Sequence, residues 1–276
     1  MRAFRSLLFV PGDRPDRFAK ALQSSAEVVC ADLEDAVAQN AKAEARRSVL
    51  ELLEEGDTER LAIRINGVVT LAGLADIASL ADASRLPRAI MLPKVEHARD
   101  LEIVAQLLDR RVDGHCAPAL IALVETPRGI ADAANIARSP HCSALMFGGA
   151  DLAAALGVEM HWEPLFAARS AITLAAAAAG VPAIDVPHVN LNDADGLATE
   201  AARARSLGFC AKAAIHPSQL DAIHAAFRPS ESSVSEARAA IAAFDAAGGS
   251  AIQFGGRLLE APIIARFRRM LDLAGA

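Results

Sequence analysis

Carboxylates recur wherever an apolar run of this chain ends. Asp32, Glu34 and Asp35 close the run VVCADL (28–33), Glu96 comes just after AIML (89–92), Glu125 directly follows ALIALV (119–124), and Asp151 comes after ALMF (144–147). Acids gathered this closely need a cation. Glu125 and Asp151 stand after successive runs and can offer two carboxylate oxygens to one octahedral ion. Magnesium suits such a pair, because it takes few protein carboxylates and keeps waters or substrate oxygens at its other positions. Manganese is the alternative ion. The competing outcome is that these acids pair with Lys94 or Arg64, or cap the helices that follow.

Arg64 lies inside the apolar run LAIRI (61–65), where a guanidinium is costly unless it projects into a polar mouth and meets an anion. A substrate carboxylate or a developing oxyanion would suit it; a salt bridge to Glu34 or Asp35 is the other reading. The first loop, Pro11 to Arg17, carries Arg14 and continues to Lys20, with Arg5 upstream. These cations, beside a helix start, are candidates for binding a phosphorylated ligand, or for a solvated helix face. Lys212 is a Schiff-base candidate that a metal would make unnecessary. His188 and His216 are either bases or ligands, or loop-positioning residues; His216-Pro217 at a helix start fits the second role.

These residues have to be positioned by eight runs of β-type residues, spaced about 25 to 35 residues apart and each followed by an alanine-rich amphipathic stretch. The remaining runs are SLLFV (6–10), VPAIDV (181–186) and CAKAAI (210–215). Strands alternating with helices, without a hairpin signal before the last 30 residues or so, predict parallel pairing through crossover helices. Eight units close most naturally as a (β/α)8 TIM barrel, whose C-terminal strand ends form the active site. The rival, an open doubly wound sheet, lacks its GxGxxG signal after the first strand. Residues 1–228 are assigned to the barrel. Residues 229–276 form a C-terminal extension, with a helix over 231–247, a hairpin over 250–260 and a helix from Pro262 to Leu273.

Composition narrows the function. The 276 residues are 53% hydrophobic and 22% charged, with a net charge of −6. An acidic chain with one Trp and no Tyr is poorly made for nucleic acid. No apolar stretch approaches the roughly 20 residues that span a bilayer, and the N-terminus reads as no signal peptide. Cys30, Cys116, Cys142 and Cys210 show no metal-binding spacing and read as reduced core thiols of a cytoplasmic protein.

Seven motifs in register resemble the citrate lyase beta subunit-like proteins of the HpcH/HpaI aldolase and citrate lyase superfamily. They are Arg5-Ser-Leu-Leu-Phe-Val-Pro-Gly12, Asp32-Leu-Glu-Asp-Ala-Val37, Arg64-Ile-Asn-Gly67, Pro93-Lys-Val-Glu96, Glu125-Thr-Pro127, Phe147-Gly-Gly-Ala-Asp151 and Ala214-Ile-His-Pro217. The resemblance implies a magnesium-dependent barrel enzyme that cleaves or forms a carbon–carbon bond in a malyl-, citramalyl- or citryl-thioester, with coenzyme A or an acyl carrier protein as the thiol. It places the metal on Glu125 and Asp151, the substrate on Arg64, an acidic supporting pair at Glu34 and Asp35, and coenzyme A phosphate contacts around Arg5, Arg14 and Lys20.

Two positions depart from that pattern. Relatives often carry an acid–base aspartate in a C-terminal motif that reaches a neighbouring subunit, and here Glu260 stands in its place, one methylene longer. Ala211 stands where glycine often precedes the lysine. The leading expectation is a stand-alone lyase acting on a short 3-hydroxyacyl-CoA. The rivals are a citryl-acyl carrier protein lyase subunit, a non-catalytic thioester or oxo-acid binding protein, and a class II aldolase using free aldehydes. An extension with no evident core of its own predicts a homo-oligomer, a trimer by resemblance.

Overall fold

The computed structural model describes residues 4–55, 58–108 and 117–274, so that Cys116 lies outside the described residues. Eight parallel strands close into a barrel in sequence order. They are β1 (Ser6–Pro11), β2 (Val28–Asp32), β3 (Leu61–Arg64), β4 (Ala89–Leu92), β5 (Ala119–Val124), β6 (Cys142–Phe147), β7 (Ala183–Asp185) and β8 (Ala211–Ala214). Pairing of β1 with β8 completes the ring. The protein is thus a (β/α)8 barrel, and each strand falls on a run read from the sequence. The shortest, β7, is flanked by Pro182 and Pro187, neither of which has an N–H to extend the ladder.

The crossover helices are α1 (Pro15–Gln23), α2 (Lys42–Glu55), α3 (Leu71–Asp82), α4 (Ala98–Leu107), α5 (Pro127–Arg138), α6 (Gly149–Leu156), α7 (Trp162–Ala179), α8 (Ala194–Leu207) and α9 (Leu220–Phe227). Their starts are written locally. At α5, the Thr126 hydroxyl accepts from the Gly129 N–H and Pro127 occupies the first turn, where its missing donor costs nothing. Glu125 is therefore held between the end of a strand and a capped helix. Side chains alternate across each strand, and Leu7, Cys30, Ala62, Met91, Leu123 and Ala213 belong to the packed interior cluster. The barrel is filled rather than open.

Contacts divide the chain into two compact units, Met1–His224 and Ala225–Ala276, with the boundary inside α9. The second unit holds α10 (Glu231–Ala246), the antiparallel pair β9 (Ile252–Phe254) and β10 (Arg257–Leu259), and α11 (Ala261–Ala274). Gly255 and Gly256 both have positive φ, 54° and 77°, as a two-residue hairpin turn requires. The expectation that this extension lacks a core is corrected: Ala237, Ala240, Phe244, Leu259, Ile264 and Phe267 form a buried cluster of its own. Their spacing along α10 and α11 is helical, and the pairing of two amphipathic helices produces the cluster. Among the described residues no helix is long and apolar enough to cross a membrane.

Candidate active site at the barrel mouth

The site follows from strand register. Cys30, Ala62 and Leu123 face the barrel interior, so two residues further along each strand Asp32, Arg64 and Glu125 face the same way, at the C-terminal mouth. Arg64 is almost buried, and its guanidinium meets Asp32 side-on, with Nε to Oδ1 at 2.7 Å and Nη2 to Oδ2 at 2.6 Å. Its Nη1 lies 3.1 Å from Glu34 Oε2, and the cation stacks 5.0 Å from the Phe9 ring centre. Burial opposes the charge, yet the hydrogen bonds and charges of Asp32 and Glu34 outweigh it and raise the Arg64 pKa. The salt bridge read as the alternative for Arg64 is present. It leaves the guanidinium oriented at the mouth.

Glu125 is 4% exposed. Burial, reinforced by the charges of Glu34 and Asp151, pushes its carboxyl up to about 8, against the pull of Lys94. There is no space behind it: a Cβ at Gly148 would lie 2.3 Å from Glu125 Cβ and 2.7 Å from its Oε2. Gly148 thereby lets β6 carry Asp151, in the first turn of α6, up to Glu125. Burial likewise raises the Glu34 carboxyl, with Arg64 and Lys94 opposing.

Lys94, the residue the sequence reading offers only as an ion-pair partner, joins these acids. Its backbone N–H donates to Glu125 Oε1 at 2.9 Å. Its ammonium donates to Glu34 Oε1 and lies 3.2 Å from Asp151 Oδ2 and 3.9 Å from Asp35 Oδ1. The Pro93-Lys94 step directly after an apolar run was the available signal; the conformation was not.

A hard divalent cation fits this group. The donors are all carboxylate oxygens, the kind magnesium and manganese prefer. Glu34 Oε2 and Asp151 Oδ2 are buried without a hydrogen-bond partner; Arg64 Nη1 and the Lys94 ammonium approach them at 3.1 Å and 3.2 Å as ion pairs, which leaves both oxygens acceptor capacity for a further cation. Among the described residues no group of three or more His, Cys, Asp or Glu is arranged to hold a metal ion; magnesium takes few protein carboxylates.

Other predicted residues are dispersed. Asp35 is exposed at the rim, 3.8 Å from Arg64 Nη1. Glu96 accepts from the Thr126 hydroxyl at 2.9 Å and so supports the start of α5. Arg14 is exposed just past β1 and pairs with Asp16 at 3.0 Å, while Lys20 is exposed in the last turn of α1. Arg5 corrects the grouping of the three cations. It precedes β1, where its Nε donates to Glu27 at 2.8 Å. In a parallel barrel the strand starts lie at the end opposite the mouth, so the length of β1 separates Arg5 from Arg14. Glu260 is exposed in the second unit, where its carbonyl accepts from the Ile263 and Ile264 N–H groups at the start of α11.

Lys212 is no nucleophile. It pairs in register with Asp185, one residue out of phase with the interior Ala211 and Ala213, so its side chain points away from the barrel interior. Fully buried, its ammonium donates to Asp185, the Val186 carbonyl and Glu200 at 2.6–2.7 Å. Arg169 joins the same network through Asp185 at 3.0 Å and lies against the rings of Phe147 and Trp162. His188 contacts Glu200 at 3.0 Å, and the His216 ring caps the turn at Ser218. Cys30, Cys142 and Cys210 are in no disulfide among the described residues. Burial pushes Cys142 up to about 11 and raises Cys30 further, so neither is a thiolate at neutral pH.

The model of the HpcH/HpaI aldolase/citrate lyase family matches residues 5–217. A citrate lyase subunit beta-like protein of Mycobacterium tuberculosis is 38% identical over 97% of this chain and 94% of its own. An L-malyl-CoA/beta-methylmalyl-CoA lyase of Cereibacter sphaeroides is 35% identical over 94% of this chain and 91% of its own. Among solved structures, the protein CitE of M. tuberculosis in complex with magnesium, acetoacetate and coenzyme A superposes with a TM-score of 0.85 at 36% identity, covering all of both chains.

Proposed function

The chain belongs to the HpcH/HpaI aldolase/citrate lyase family, and from that premise we propose that its barrel mouth performs the reversible Claisen-type cleavage of a short 3-hydroxyacyl-CoA. The protein is a carbon–carbon lyase that uses magnesium and takes coenzyme A as part of its substrate. The observation that carries the assignment of chemistry to residues is the buried Glu125 with the half-buried Asp151 near it, beside the oriented Arg64. Malyl-, citramalyl- and citryl-CoA are the candidate substrates.

Glu125 and Asp151 would hold the magnesium, which supplies a Lewis acid and a template for the oxygens of the 2-oxo acid. In the cleavage direction the substrate hydroxyl gives up its proton to a base and becomes the carbonyl of the 2-oxo acid. The C2–C3 bond breaks, its electron pair passes to the thioester as an enolate, and a proton delivered to that carbon completes the acyl-CoA. Arg64 faces the developing negative charge, pre-aligned by Asp32 so that little reorganisation is needed. Asp32 and Glu34 keep the guanidinium in place, and Lys94 offsets the acids around Glu125. Glu260, contributed by a neighbouring copy in a homotrimer, is assigned the proton transfer. Arg14 and Lys20 are assigned to the coenzyme A phosphates, and the protein to the cytoplasm.

The test is release of a 2-oxo acid from the three CoA esters with magnesium. Turnover by the wild type that disappears in Glu125→Ala supports the reading; turnover that survives it refutes the metal assignment. A silent wild type with activity gained in Glu260→Asp would point to the non-catalytic thioester-binding reading. The relative named as a citrate lyase subunit favours a second reading, in which the thiol is an acyl carrier protein. Copurification of a carrier subunit distinguishes it.

A further inference from the structure

We propose that Lys94 tunes the magnesium affinity of the mouth by competing with the ion for Asp151, an inference that rests on Glu125 and Asp151 being the metal-binding pair. Among the described residues, Lys94 alone combines a side chain with a positive φ, at 53°. The left-handed region is unfavourable for a residue with a Cβ, and residues held there cluster at functional sites. What the conformation secures is visible: both ends of one residue turn to the same acids. The backbone N–H ties Glu125 Oε1 at 2.9 Å, while the ammonium bonds Glu34 and lies 3.2 Å from Asp151 Oδ2. One lysine thus joins the loops that follow β2, β5 and β6.

The Asp151 oxygen concerned is buried and has no hydrogen-bond partner. The lysine side chain is 45% exposed, so it reaches this oxygen from the solvent side and has room to withdraw. A divalent ion seated on the same oxygen would stand within a few ångströms of the ammonium, and like charges at that distance repel strongly in a partly buried site. The ammonium then retreats onto Glu34 and Asp35, which remain within its reach. Until the ion arrives, the same charge offsets Glu34 and Asp151 while the backbone N–H of the lysine holds Glu125 beside them. Lys94 is a positioning residue that keeps the acids assembled at the expense of ion affinity.

Isothermal titration of the full chain with magnesium chloride tests this on wild type, Lys94→Met and Lys94→Arg. Lys94→Met is expected to bind magnesium about tenfold more tightly than wild type, with Lys94→Arg close to wild type. Its melting temperature with a chelator should fall below the wild-type value, and its gain on adding magnesium should be larger. Unchanged or weaker binding by Lys94→Met overturns the proposal. Should that variant fail to fold, the wild type supplies the second measurement. Acetylation of Lys94 by an N-hydroxysuccinimide ester, followed by peptide mass spectrometry, should accelerate several-fold with saturating magnesium; an equal or slower rate overturns the proposal. Titration of Glu125→Gln and Asp151→Asn separates the two readings: undiminished binding there means that the metal assignment fails, and this inference with it.

Discussion

Asp32 holds Arg64 by both carboxylate oxygens, at 2.7 Å and 2.6 Å, across the top of adjacent strands. The two residues are register partners of β2 and β3, so sheet pairing itself aims the guanidinium. Only Nη1 is left towards Glu34 and the mouth.

A lysine cannot reproduce this fork. Arg64→Lys should lower kcat/KM by about a hundredfold, the scale expected when a charge-stabilising group is misplaced by an ångström. The 2-oxo acid assay checks it; a loss of less than threefold would show that Arg64 is structural.

Gly148→Ala should be more damaging than its size implies. The added methyl meets Glu125 Cβ at 2.3 Å in a backbone that cannot yield without moving β6. Glu125 must shift, and the expected result is a loss of about a hundredfold in kcat/KM together with weaker magnesium binding by titration. Wild-type magnesium affinity in this variant would contradict the packing account.

The pH dependence of stability follows from Glu125. Its carboxyl is pushed up to about 8 in the folded chain from an ordinary value of 4.5. Between those values the folded chain holds a proton that the unfolded chain has released. The stabilisation is therefore complete below the unfolded value and is lost as pH rises through about 8. Glu34 shifts in the same direction. Chelator-treated protein should melt at progressively lower temperature from about pH 5.5 to about pH 8.5, with a shallower slope in Glu125→Gln. Equal slopes would mean that Glu125 does not carry the proton.

Lys212→Met should unfold the barrel more easily without touching the chemistry directly. It strips Asp185 and Glu200 of a buried cation, and breaking a buried pair costs about 3 kcal/mol, readable in urea denaturation. Borohydride with pyruvate should leave the wild type active, because this amine is enclosed by three acceptors and forms no Schiff base. Inactivation by that treatment would reopen the covalent route.

Much of the fold was legible because its causes are local. Parallel strands buried on both faces must be nearly continuous apolar runs, and eight of them separated by helix-forming stretches leave few ways to close. The acids and Arg64 stood out because charge at the end of an apolar run is costly unless used. The helix over 231–247 and the hairpin over 250–260 were legible for the same reason: a cap such as Ser230 and a positive-φ turn such as Gly255-Gly256 are properties of short segments.

What the chain order could not decide was direction and encounter. Lys212 and Arg64 are both cations within apolar strands, yet one residue of phase sends the first between barrel and helices and the second to the mouth. Arg5 and Arg14 are close in sequence but occupy opposite ends of β1, because an extended strand carries them apart. The core of the extension exists only when α10, α11 and β10 meet. Lys94 took its role from closure of the barrel, which brings the loops after β2, β4, β5 and β6 to one point. Residue types and spacing determined which chemistry was available; closure of the sheet determined which charges share it, because electrostatic coupling depends on distance in space rather than along the chain.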